Sequence, residues 1–92
     1  MIDGFKHKGL RRLHEDDDAR KVQPGLADRL RLILSALDQA GDVHDMDQPT
    51  FRLHALKGNR KGVWAVTARA NWRVTFRFDD EVAYDVDLED YH

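Results

Sequence analysis

The chain has no cysteine, so it has neither a disulfide framework nor a thiolate metal site. No apolar run approaches the roughly 20 residues needed to cross a bilayer. The opening MIDGFKHKGL has no apolar signal region. These absences lead us to expect a cytoplasmic protein with no membrane partner. No GxSxG, P-loop or HExxH pattern occurs, which removes the common signatures of serine hydrolases, nucleotide hydrolases and zinc proteases. No internal repeat or low-complexity stretch divides the 92 residues. We expect one domain, residues 1–92, with a single modest core.

Acids are missing from one part of the chain. Residues 51–78 carry seven Lys/Arg (Arg52, Lys57, Arg60, Lys61, Arg69, Arg73, Arg77) and no Asp or Glu. Residues 79–92 carry seven acids and no Lys or Arg, and the net charge of the whole chain is −2. An unrelieved basic block is a footprint for phosphate. It is equally a basic strand neutralised by an acidic neighbour, and charge alone does not choose between the two.

Hydrophobic spacing sets the elements. Ile2 to Phe5 suits a short first strand, followed by a helical stretch with Leu10 and Leu13 as its apolar positions. The run Glu15-Asp16-Asp17-Asp18 reads as a solvated loop or helix end. It lacks the glycine and distal glutamate of a calcium loop. Pro24 opens the clearest helix, to about Ala40, with Leu26, Leu30, Ile33, Leu34 and Leu37 as one stripe and Gly41 as its stop. Residues 42–50 read as a loop with one helical turn.

After Phe51 the period changes to two. Phe51 to Ala55, Val63 to Ala68, Trp72 to Phe78 and Val82 to Leu88 read as strands. A turn at Asp79–Glu81 pairs Phe78 with Val82, Phe76 with Tyr84, Val74 with Val86 and Trp72 with Leu88. Arg73 then faces Asp87, and Ala68 faces Trp72. The expected fold is α+β: a small antiparallel-dominated sheet with two N-terminal helices packed on one face. The other face carries Arg52, His54, Arg73, Thr75, Arg77, Asp85 and Asp87.

That polar face has parts for cutting RNA. The substrate brings its own nucleophile, the 2′-hydroxyl, so no metal or cofactor is required. A histidine with an ordinary pKa of about 6.5 serves as acid or base. Arginine matches a phosphate with two parallel donors. Each residue also has a plainer role: His54 as a surface histidine, Arg73 as a cross-strand partner of Asp87, and Lys57, Arg60 and Lys61 as a solvated turn. His7 and His14 share a helix face, but no third metal ligand has a suitable spacing.

The stretch FRLHALKGNRKGVWAVTARANWRVTFRF, followed by YDVDLEDYH, resembles the HigB toxins of the RelE superfamily. Their pattern is RLH-x-LKG-x-R-x-G-x-W, then NWRI-x-F, then a closing DYH. Here it reads Arg52-Leu53-His54, Leu56-Lys57-Gly58, Arg60, Gly62, Trp64, Asn71-Trp72-Arg73, Phe76 and Asp90-Tyr91-His92. The opening FKHKGL also fits, whereas residues 11–50 are weakly diagnostic.

The resemblance implies a RelE-like fold and a ribosome-dependent mRNA endonuclease. It implies a HigA-type helix-turn-helix antitoxin as partner, through which operator DNA would be contacted only indirectly. It makes His54, Lys57, Arg73, Asp90, Tyr91 and His92 the expected catalytic set. His54 and His92 would be acid–base groups, Asp90 would orient them, Lys57 and Arg73 would hold phosphate, and Tyr91 would take the base or leaving group. Arg60, Lys61 and Arg69 are expected to bind RNA or ribosome. Gyrase-directed relatives on the same fold supply the alternative, a toxin that binds without cutting. Many toxins of this superfamily are strongly basic, and this chain departs from them in its net charge and in the run Glu15–Asp18.

Overall fold

A computed structural model describes residues 1–91. The first six residues run parallel to the last strand, with Ile2 bridged to Ala83 and Phe5 to Val86. Four backbone bonds of 2.8–3.1 Å hold them there: Asp3 N–H to Ala83 O, Lys6 N–H to Val86 O, Ala83 N–H to Met1 O and Val86 N–H to Gly4 O. The expected first strand is thus a parallel strip covering an edge that would otherwise be open.

Helix α1 (Lys8–Asp16) starts at His7, whose Nδ1 accepts the Leu10 N–H at 3.1 Å, and ends at Asp17 in the left-handed region. Its Gly9 lies against the chain at Lys21, where a Cβ would come within 2.6 Å of the Lys21 carbonyl oxygen. A 3₁₀ turn at Pro24–Leu26 leads into α2 (Ala27–Gln39). Leu26, Leu30, Ile33, Leu34 and Leu37 are all buried, as their spacing predicts, while Leu32, off that stripe, is exposed. The helical turn expected in the following loop is Val43–Met46, opened by a capping box at Asp42.

The sheet comprises β1 (His54–Ala55), β2 (Trp64–Arg69), β3 (Trp72–Asp79) and β4 (Val82–Asp90), in that order and antiparallel throughout. Both helices pack on one face, where Val66, Val74, Phe76, Ala83 and Val86 meet the two helical stripes in a single core. This is the expected α+β arrangement.

The details of pairing differ from expectation. The strand beginning at Phe51 is regular only at His54–Ala55, because Arg52 takes a positive φ of 53°. The β3–β4 hairpin turns on two residues, Asp80 and Glu81, both with positive φ, so Asp79 pairs with Val82 and Phe78 with Ala83. An extra residue in β4 then shifts the phase at Asp85, φ 51°. Tyr84 therefore leaves the core and faces out opposite Arg77, Leu88 pairs with Val74 instead of Trp72, and Arg73 faces Glu89 instead of Asp87. A second irregularity beside Ala68 pairs Trp72 with Arg69, not with Ala68.

Candidate active site

Two sequence-distant segments meet at the end of the polar face where β2 and β3 turn. Arg52, His54, Thr67, Ala70 and Tyr91 line a cavity of about 400 Å³. His54 is exposed there, and its Nδ1 lies 2.9 Å from the Arg52 carbonyl oxygen. A carbonyl only accepts, so Nδ1 carries a hydrogen, and in the neutral ring the lone pair is on Nε2. The left-handed backbone at Arg52 belongs to this same short kink, a strained conformation beside a candidate reactive group.

The kink is held from the helical layer. Arg29, in the first turn of α2, donates Nη2 to the carbonyl of Thr50 at 2.7 Å and Nη1 to its hydroxyl at 3.1 Å. The same guanidinium reaches the carbonyls of Thr67 at 3.2 Å and Ala68 at 3.0 Å and lies 5.0 Å from the Phe51 ring centre. Thr67 N–H in turn donates to Phe51 O at 2.7 Å. One side chain thus fixes the strand leading into His54 against the strand that forms the cavity floor. The spacing of residues in α2 gave no sign of this clamp.

Arg73 and Tyr91 are stacked, with the guanidinium carbon 4.2 Å from the ring centre. The Arg73 side chain is 14% exposed, and its Nε is buried without a hydrogen-bond partner among the described residues. The end of the chain is anchored: Trp72 pairs with Asp90, Tyr91 N–H donates to Asn71 O at 2.8 Å, and the Asn71 side-chain amide donates to Asp90. His92 lies outside the described residues.

Glu89, one residue before Asp90, organises the cations beside Arg73. Its carboxylate accepts two bonds from Arg60, at 2.7 and 2.5 Å, one from the Thr75 hydroxyl at 2.8 Å and one from Arg73 at 3.3 Å. The Arg60 hydrogen bonds pull the Glu89 pKa down to about 2 against the opposing cost of partial burial, with Thr75 and Arg73 contributing further. The expected polar face ended at Asp87 and the expected register sent Arg73 there, which hid this pairing.

The expected site residues therefore fall into separate groups. His54, Tyr91 and Arg73 are gathered, with Asp90 at the anchored end beside them. Lys57 and Lys61 line a different cavity, around the turn after β1. Arg60 commits its donors to Glu89, and Arg69 reaches away to the carbonyl of Gly25 at 3.1 Å. Arg52, Asn71, Thr67, Glu89 and Arg29 are further participants. Two of them, Arg52 and Asn71, stand inside the RLH and NWR runs and could have been singled out there.

A histidine, an arginine and a tyrosine gathered at one end of the sheet of a small α+β domain put a proton-exchanging group beside a cation. Residues 3–92 match the family model of the RelE-like toxin of type II toxin–antitoxin system HigB, and the chain belongs to that family. It is also 44% identical over 92 residues, the full length of both chains, to Endoribonuclease HigB of Proteus vulgaris. Membership in a type II toxin family implies an antitoxin as partner. Among the described residues no helix is long and apolar enough to cross a membrane.

Proposed function

We propose that this chain is an endoribonuclease toxin that cuts mRNA during translation, in the ribosomal decoding site, using the RNA 2′-hydroxyl as nucleophile and no metal. The observation that carries this reading is the His54 ring. Its Nδ1 hydrogen is committed to Arg52, which leaves Nε2 free to exchange a proton beside a stacked arginine–tyrosine pair. The identity to an endoribonuclease over the full chain supports it.

In this reading the 2′-oxygen bonds to the adjacent phosphorus as its proton leaves to a base, and the bond from phosphorus to the 5′-oxygen breaks as an acid protonates that oxygen. The products are a 2′,3′-cyclic phosphate and a 5′-hydroxyl. His54 Nε2 is one of the two proton-exchanging groups, and His92 is proposed as the other, with Asp90 orienting the pair. Arg73 holds the phosphate as charge grows on its oxygens, a role worth roughly 3–4 kcal/mol per donor in well-studied sites, and Lys57, which lines a separate cavity, holds the RNA backbone beyond it. Lifting of the Tyr91 ring would expose the unpartnered Arg73 Nε–H to a phosphate oxygen, while the ring itself takes the base or leaving group. A HigA-type antitoxin, a cytoplasmic location and an RNA or ribosome contact by Lys61 complete the proposal, while Arg60 and Arg69, expected to share that contact, are engaged by Glu89 and by the Gly25 carbonyl.

The test is to map transcript 5′ ends after inducing the wild type and His54→Ala. New 5′-hydroxyl ends spaced in frame with translation, and lost in His54→Ala, are expected. Ends that ignore the reading frame would remove the ribosome from the account. Unchanged cutting by His54→Ala would remove His54 from the chemistry.

A further inference from the structure

The second cavity, about 420 Å³, lies around the turn after β1 and takes no part in the geometry around His54. Successive strand residues point to opposite faces, so Ala55 turns away from the side that His54 occupies. Ala55 pairs with Trp64, whose side chain packs against the helix-facing core and meets His44 edge-on at 5.9 Å. Ala55, Leu56, Val63 and Trp64 supply an apolar lining, and Lys57 and Lys61 stand beside it. The intervening turn includes Gly58 and Gly62, both at positive φ, and around Gly58 there is open space.

The charges around this cavity differ from the arginines that face β4. Arg60, Arg73 and Arg77 are each paired with a carboxylate of β4. Among the described residues Lys57 and Lys61 have no ion pair, and no acid lines the cavity. An apolar slot with an aromatic wall and two free ammonium groups suits a flat, apolar-faced ligand that carries an anion. A nucleotide of single-stranded RNA fits that description, because its unstacked base can rest on an aromatic surface while its phosphate meets lysine.

We propose that this pocket seats one unstacked nucleobase of the RNA chain, with the adjoining phosphate on Lys57 and Lys61. The edge strand β1 would then separate two neighbouring nucleotides, one at His54 and the next over the edge against Trp64. This rests on the reading of the chain as a ribonuclease and gives that reading a base-binding subsite next to the scissile phosphate.

The experiment uses the full chain carrying His54→Ala to prevent cutting, titrated with adenosine 5′-monophosphate, ribose 5-phosphate and a 2′-O-methyl hexanucleotide. The readout is the NMR shift of the Leu56 and Val63 methyls and the Trp64 indole. The nucleotide and the hexanucleotide should shift these signals, and ribose 5-phosphate should bind at least about tenfold more weakly. Ala55→Phe fills the pocket from an exposed wall and should weaken the hexanucleotide by about tenfold or more. Leu32→Ala, at an exposed position of α2 that does not line the pocket, should leave it unchanged, and folding of both variants is read from the dispersion of the core methyls.

Equal binding of ribose 5-phosphate and the nucleotide would overturn the base pocket, leaving two lysines that hold phosphate alone. Full binding by a folded Ala55→Phe would also overturn it, as would the absence of shifts with both the nucleotide and the hexanucleotide. Each of these results leaves transcript cutting by the wild type intact. Absence of cutting by the wild type would instead strike the ribonuclease reading itself.

Discussion

Glu89 shows how much one side chain can hold in a site where cations must be kept in place. Its two oxygens accept from Arg60, Thr75 and Arg73, so three side chains on the polar face depend on one charge. A folded pKa of about 2 against the usual 4.5 makes that charge a source of stability, at most about 3 kcal/mol at neutral pH. The sign follows from the depressed value: the contribution is complete above about pH 4.5 and is lost as pH falls from there towards 2. Glu89→Gln should therefore melt several degrees below the wild type between pH 5 and 7. The gap should close on acidification through that window. A gap that stays constant down to pH 2.5 would mean that the charge is not what Glu89 contributes.

At the scale of the element, helices and strands were legible in the sequence and registers were not. The stripe from Leu26 to Leu37 is buried as its spacing requires, because a helix face has one phase and nothing interrupts it. In β4 the alternation Val82, Tyr84, Val86, Leu88 looks equally regular, yet one extra residue at Asp85 puts Ala83 and Val86 on the same face. Alternation cannot register such an insertion when Ala83, small and apolar, fits inside as readily as Tyr84 fits outside. The same blindness hid the Arg73–Glu89 pairing, so His54, Arg73, Asp90 and Tyr91 could be named from the sequence while the contacts that hold them could not. The clamp by Arg29 was invisible because its partners are mostly backbone carbonyls, which leave no pattern in side-chain chemistry. The bulge makes a prediction that runs against strand propensity. Valine normally favours a strand, but at a φ of 51° its branched side chain collides with the backbone. Asp85→Val should cost about 1–2 kcal/mol in urea unfolding. A neutral or stabilising result would mean that β4 pairs without the bulge.

Across the whole molecule, charge is sorted by where the strands place it. The chain is compact, with a radius of gyration of 12.0 Å, in line with the roughly 12 Å expected for its length. The basic block of residues 51–78 and the acidic block of residues 79–92 lie side by side in β3 and β4, and much of the positive charge is spent on that pairing. The neutralising reading of the basic block holds for Arg60, Arg73 and Arg77, which pair with carboxylates of β4. Lys57 and Lys61, on the turn after β1, have no ion pair among the described residues and are the cations we propose for phosphate. In the proposed function a chain of net charge −2 would meet a polyanion through the face that carries these lysines, because attraction depends on the face presented. The pairing also limits the electrostatic contribution to a few contacts. Raising monovalent salt from about 50 to about 200 mM should weaken ribosome binding by about tenfold. Replacing both lysines by glutamine should reduce the slope of log affinity against log salt by about 1.5. Arg69→Gln should leave that slope nearly unchanged, because Arg69 is turned towards Gly25 and not towards the turn. A wild-type affinity indifferent to salt, or a slope that the double substitution does not alter, would show that ribosome binding runs through some other surface of the molecule.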